Sequence, residues 1–126
     1  MNANAVGWFE IPVSNMERAI KFYESVFDYK LERHQMGELD MAWFPFGDLP
    51  GAPGSLVHHK EFYKPSTDGT LIYFTCHSGD LKNELSKVEP SGGKILVPKT
   101  LITKDIGYMA VCMDTEGNRI ALHSRD

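Results

Sequence analysis

This chain of 126 residues spells one pattern twice. The second copy begins near Gly69. Asp48-Leu49-Pro50-Gly51 answers to Asp114-Thr115-Glu116-Gly117 at an offset of 66 (114 − 48). Leu31 answers to Leu96 and Ile20 to Leu85 at 65, Val13 to Cys76 and Trp8 to Leu71 at 63. The offset slips by only three residues along the copy, and the slips fall where loops are expected. A chain built this way folds as a pseudo-symmetric pair of modules with a cleft between or within its sheets. Functional residues are therefore sought at matched positions. A solenoid needs three or more repeats and fits poorly.

Each copy reads β-α-β-β-β. Gly7 to Val13 is aromatic and β-branched, a strand signal. Pro12 cannot donate to a ladder and belongs at a strand end or a free edge. Ser14 or Asn15 can cap the helix that follows, and Ser14 with Glu17 has capping-box spacing. Met16, Ala19, Ile20, Tyr23, Val26 and Phe27 recur at helical period and predict a face packed on a sheet. Tyr29–His34, Met41–Phe46 and Ser55–His59 complete the first module, about residues 5–60. Lys60 to Asp68 connects, with Phe62 and Tyr63 expected to pack. The second module, about residues 69–124, runs through strand Thr70–Cys76, a helix from about Asp80 to Glu89, and strands Lys94–Pro98, Gly107–Met113 and Arg119–His123. Asp80 matches Asn15 at 65, so the same Asx cap is expected in both helices. The fold class is α+β, one domain over 1–126.

Composition narrows the partners. Net charge is −4 and Lys and Arg are scattered, so no electrostatic case exists for nucleic acid or an anionic membrane. No apolar run reaches the roughly 20 residues that span a bilayer. Met1-Asn2-Ala3-Asn4 lacks the basic and apolar regions of a signal peptide, and a cytoplasmic protein is expected. Cys76 and Cys112 lie in apolar strand-like runs and read as buried reduced thiols.

Phe9-Glu10-Ile11-Pro12-Val13 followed by Arg18-Ala19-Ile20-Lys21-Phe22-Tyr23 resembles the opening of vicinal oxygen chelate proteins. This superfamily includes glyoxalase I, extradiol dioxygenases, and bleomycin- and fosfomycin-resistance proteins. Gly92-Gly93-Lys94-Ile95 and Asp114-Thr115-Glu116-Gly117-Asn118-Arg119-Ile120 look like its second-module hallmarks. The resemblance implies two tandem βαβββ modules, each curling its sheet into half of an open barrel with a concave cleft. It also implies a homodimer, with modules paired either within a chain or by exchange. Metal enzymes of the superfamily take ligands from the first and last strands of each module. Those positions here hold Trp8, Ser55, Leu71 and Ala121. Indole, leucine and alanine cannot coordinate, and a serine hydroxyl is a weak ligand where a divalent ion is expected to meet His and Glu. No cofactor is therefore predicted, the alternative being a divalent metal at a displaced site.

Strand alternation puts Trp8 and Glu10 on one face, with Tyr73 as the repeat partner of Glu10. Arg119, Ala121 and His123 share a face by the same rule. Glu10 and His123 are the candidate catalytic pair, a carboxylate and an imidazole able to act as base and acid. The alternative is that Glu10 pairs with a nearby Arg or Lys and His123 frays at the C-terminus. Trp8, Glu10, Ser55, Tyr73, Met109 and Ala121 are the candidate ligand-binding cleft. Trp43, Phe44, Phe46, Tyr108 and Met109 are divided between cleft and core. Adjacent His58 and His59 point to opposite faces and cannot share an ion without a bulge. His34 and His77 read as surface residues. Two functions stay open: metal-free binding or sequestration of a small molecule in an aromatic cleft, as in bleomycin resistance, and a lyase or dioxygenase-type enzyme on a small oxygen-bearing substrate, with a displaced metal site or metal-free acid–base catalysis.

Overall fold

A computed structural model of the chain describes residues 4–126; Met1 to Ala3, on which the signal-peptide reading partly rests, lie outside the described residues. The elements are β1 (Phe9–Pro12), α1 (Met16–Phe27), β2 (Glu32–Met36), β3 (Leu39–Trp43), β4 (Gly54–His58), β5 (Ile72–Thr75), α2 (Leu81–Val88), β6 (Lys94–Thr103), β7 (Gly107–Met113) and β8 (Arg119–Ser124). Sheet one has the order β1-β4-β3-β2 and sheet two the order β5-β8-β7-β6. In each, the first strand lies parallel to the last and the others pair antiparallel.

The register makes the repeat structural. Glu10 pairs with Ser55 as Tyr73 pairs with Ala121. Val13 N donates to Val57 O at 2.9 Å, and Cys76 N donates to His123 O at 2.9 Å. Asn15 and Asp80 cap the two helices, Asn15 accepting from Arg18 N and Asp80 from Lys82 N. The Ser14–Glu17 capping box does not form. The Ser14 amide is taken by Glu116 of the other module, at 2.9 Å.

Several boundaries differ from the sequence reading. Phe44, Pro45 and Phe46 leave β3 and join the loop to β4, and β2 starts at Glu32 rather than Tyr29. The sixth strand does not stop at Pro98; it continues to Thr103 across register shifts flanking Pro98. Proline is tolerated there because β6 is an edge strand and the ladder is already broken at the shift.

One core serves both modules. Met16, Ala19, Phe22, Tyr23, Val26 and Phe27 of α1 are buried against Ile11, Ala42, Phe44 and Leu56 of sheet one and Phe74, Cys112 and Leu122 of sheet two. Gly54 belongs to this packing, since a Cβ there would collide with the Phe9 ring. Cys76 and Cys112 are buried and free, and burial pushes both thiols up to about 12. Among the described residues, no helix is long and apolar enough to cross a membrane.

The modules are also tied by the turn Asp114–Asn118. Glu116 accepts from the Ser14 and Asn15 amides and from Arg18 Nε at 2.7 Å. Asp114 accepts from the buried Tyr23 hydroxyl at 2.6 Å, and Asn118 Nδ2 donates to Pro12 O at 2.7 Å.

Candidate functional site

In sheet one, Phe9, Ile11, Ala42, Phe44 and Leu56 point to the helices. Alternation therefore sends Trp8, Glu10, Trp43 and Ser55 to the outer face, away from α1. The cross-strand pairs Glu10–Ser55 and Ser55–Trp43 set these three side by side. Trp8 lies one residue ahead of β1 and meets Trp43 edge to face, with ring centres 5.5 Å apart. His34 is not a plain surface residue: it stacks on Trp43 at 3.9 Å. Its Nε2 lies 2.8 Å from Glu32 Oε1, but too far off axis for a hydrogen bond.

Glu10 is held by uncharged donors, not by the Lys or Arg partner considered from sequence. Trp8 Nε1 donates to Oε2 at 3.3 Å and Tyr63 Oη to Oε1 at 2.7 Å. The bond to Glu10 keeps the Tyr63 phenol above its ordinary range. Tyr63 comes from the connector, and no motif marked it beyond its being an aromatic in a polar linker. Ser55 is fully buried on this face, and neither its Oγ nor Trp43 Nε1 has a hydrogen-bond partner. Buried polar atoms are nearly always paired, and these two, with His34 Nε2 beside them, have no partner within the protein.

The outer face of sheet two carries Tyr73, Val111, Ala121, Met109 and His123. Tyr73 is half exposed and Ala121 fully buried. His123 does not fray; its Nε2 lies 2.7 Å from Ile106 O. Within one chain Glu10 and His123 stand on separate sheets, and Tyr73 stands with His123, not with Glu10. His58 and His59 take different partners, Val13 O at 3.0 Å and Glu38 Oε2 at 3.4 Å. Among the described residues, no three His, Cys, Asp or Glu side chains gather where an ion could be held.

The residues do not fit the divalent metal of the fold's enzymes. The register fixes Ser55 and Ala121 as true matched positions, one slightly basic hydroxyl and one methyl. Trp8 spends its only polar hydrogen on Glu10. The Glu10 carboxylate has hydrogen-bond donors as its partners, Trp8 and Tyr63, and the Glu32 carboxylate of the same face lies against His34 instead.

Two sheets of this order, the two capped helices and the doubled register define a paired βαβββ protein. The chain belongs to the Glyoxalase/Bleomycin resistance protein/Dioxygenase superfamily, whose family model matches residues 5–122. A "Glyoxylase-like domain-containing protein" of Didymella fabae is 29% identical over 122 residues, covering 95% of this chain and 93% of that one. Among solved structures, a glyoxylase/bleomycin resistance protein/dioxygenase domain from Frankia sp. EAN1pec superposes with TM-score 0.72 at 17% identity, covering 98% of each chain. TnmS3, an antibiotic binding protein from Streptomyces sp. CB03234, superposes with TM-score 0.65 at 23% identity, covering 100% of this chain and 99% of that one. Glyoxalase I from Zea mays gives TM-score 0.69 at 19% identity over 94% of this chain, which spans 45% of that chain.

Proposed function

We propose that this protein binds an aromatic small molecule without a metal, in a cleft whose floor is the outer face of sheet one. The observation that carries this reading is the pair of buried orphans, Ser55 Oγ and Trp43 Nε1, beside the Glu10 carboxylate. Together they offer donors and an acceptor in one row, flanked by the indoles of Trp8 and Trp43. Such a row recognises the polar edge of a flat molecule while the rings cover its faces. Trp8, ahead of the strand and 37% exposed, is the side chain positioned to yield to a ligand. The antibiotic binding protein among the structural relatives supports the same reading. A homodimer belongs to it: Tyr73, Met109, Ala121 and His123 on sheet two supply a second wall, and exposed Tyr73, Leu101 and Ile106 gain cover from another copy. Sequestration in the manner of bleomycin resistance follows from binding alone. Acid–base catalysis by Glu10 and His123 is the alternative, and it requires that second wall to bring His123 across.

The chain's two tryptophans, Trp8 and Trp43, both lie on this face, so intrinsic fluorescence reads the site directly. A panel of planar aromatic antibiotics is titrated against the purified protein with and without nickel, zinc, manganese and iron(II). Saturable quenching independent of metal, weakened about tenfold in Glu10→Gln, is expected. A stoichiometric ion that raises thermal stability, or a panel with no saturable member, sinks the reading.

A further inference from the structure

A separate space lies away from that face, between the modules. It is a half-open cavity of about 520 Å³ between the β3–β4 loop and β5, with Phe9, Tyr29, Phe44, Leu49, Phe74 and His77 among its walls. Its volume falls in the range of about 300–1,000 Å³ usual for small-molecule sites. The repeat explains why it is open. Its counterpart in the other half is the junction of the Asp114–Asn118 turn with the end of β1, where side chains bridge the modules and leave about half the space, some 260 Å³. Glu116 and Asn118 reach across there to Ser14, Asn15 and Pro12. At the offset of 66 their places in the β3–β4 loop are taken by Pro50 and Ala52, which cannot reach or donate. The backbone bend is kept, with Gly51 at φ 107° and Gly117 at φ 93°, while the plug is gone.

We infer that this inter-module cavity is a second binding site, one that takes an uncharged aromatic molecule with a single hydrogen-bonding group. No Asp, Glu, Lys or Arg lines it, and a charge moved into such walls loses hydration that nothing repays. The Tyr29 hydroxyl has no protein partner among the described residues, and burial raises it well above its ordinary range, so it stays a neutral donor. His77, exposed at the rim, offers the other polar contact. Phe46 and Leu49, 64% and 75% exposed on the loop, are the apolar surface that an occupant would cover. The site shares no lining residue with the outer face of sheet one and only Tyr73 with the second wall, so a Glu10 variant separates it from the proposed function.

The test is a titration of the purified protein with 2-naphthol, followed by amide chemical shifts, with anionic 2-naphthoate beside it. Saturable shifts centred on Gly47, Gly51, Gly54, Thr75 and His77 are expected, with naphthoate binding about tenfold weaker. Ala52→Trp, which fills the cavity, should weaken 2-naphthol about tenfold, and Glu10→Gln should leave it unchanged. If Ala52→Trp fails to fold, Phe46→Ala and Leu49→Ala, both exposed, carry the test through a loss of about threefold or more. Shifts gathered on Trp8, Glu10 and Trp43 overturn the second site while supporting the cleft. No saturable shift, or unchanged affinity in the folded loop variants, overturns it outright. Equal binding of naphthoate overturns the ligand class.

Discussion

The β3–β4 loop and the β7–β8 turn occupy matched places in the two modules and have become opposites. Eleven residues separate the paired Trp43 and Ser55, whereas nine separate Val111 and Ala121. In the shorter turn, Asp114 Oδ1 accepts from the amides of Glu116 and Asn118 at 2.8 and 2.9 Å, an Asx turn that fixes the backbone. The fixed backbone aims Glu116 and Asn118 at the first module. In the longer loop, Pro45, Pro50 and Pro53 remove three amide donors, and Asp48 is exposed without a hydrogen bond among the described residues. One copy became a clamp and the other a cavity roof.

Asp114→Ala against Asp48→Ala is the strongest way to break this contrast. Asp114 is 3% exposed and accepts from Tyr23 Oη, Asn118 Nδ2 and two amides. Its loss strands buried donors at about 1–3 kcal/mol each, so a total of about 3–5 kcal/mol is expected in chemical denaturation. Asp48→Ala should stay within about 0.5 kcal/mol. Equal costs would mean that the two turns do the same job.

Ala121→Ser comes next. It places a hydroxyl at the position matched to Ser55, where Ala121 is fully buried among Val111 and Tyr73. A loss of about 1–3 kcal/mol is expected if that face of sheet two offers no partner. A neutral result would show that both halves accommodate a polar atom there.

Glu116→Gln follows at about 1–2 kcal/mol, the usual range for losing a helix-terminal carboxylate and its cap bonds. The effect has a pH signature. Burial alone would raise the Glu116 carboxyl, but the Arg18 guanidinium, the Asn15 and Ser14 amides and the Thr115 hydroxyl outweigh it and hold the carboxyl below its ordinary value. A depressed folded value stabilises above the unfolded value, near 4.5, and the gain disappears as pH falls through the folded one. The gap between wild type and Glu116→Gln should therefore be full at pH 7 and close as pH drops below about 4.5. A gap that is constant with pH would assign the clamp to shape rather than charge.

Most of this fold is legible in the chain, because its signals are local. The cap pair Asn15 and Asp80, the helical stripe of α1 and the offsets 63, 65 and 66 all reappear as register and capping. What local pattern could not show is where matched residues diverge in three dimensions. Phe46 reads as strand by its aromatic neighbours, yet Pro45 beside it ends the ladder and turns it outward. Glu10 was legible as facing with Trp8, but its partner Tyr63 lies 53 residues away in the connector, and nothing local links them. The convergence of Glu10 with His123 depends on how sheets meet, which alternation along a strand does not carry. The cavity is a contrast between Glu116 with Asn118 and Pro50 with Ala52, visible only once the clamp's partners are known.

Ser55→Ala should have the smallest effect on stability and a large one on function. Ser55 is fully buried, and its Oγ bonds nothing in the protein. Burying an unpaired hydroxyl costs on the order of 1–3 kcal/mol, and replacing it with a methyl-sized group leaves almost no void. The variant should therefore be as stable as wild type or more stable by up to about 1 kcal/mol. Ligand binding on the outer face of sheet one should fall in the same variant, by about tenfold, if the hydroxyl is kept for a ligand. Stability gained with affinity lost is the signature of a residue retained for binding against the interest of the fold. Stability lost on removing the hydroxyl would mean that Ser55 has a hidden partner in the folded chain, and its claim on a ligand would go with it.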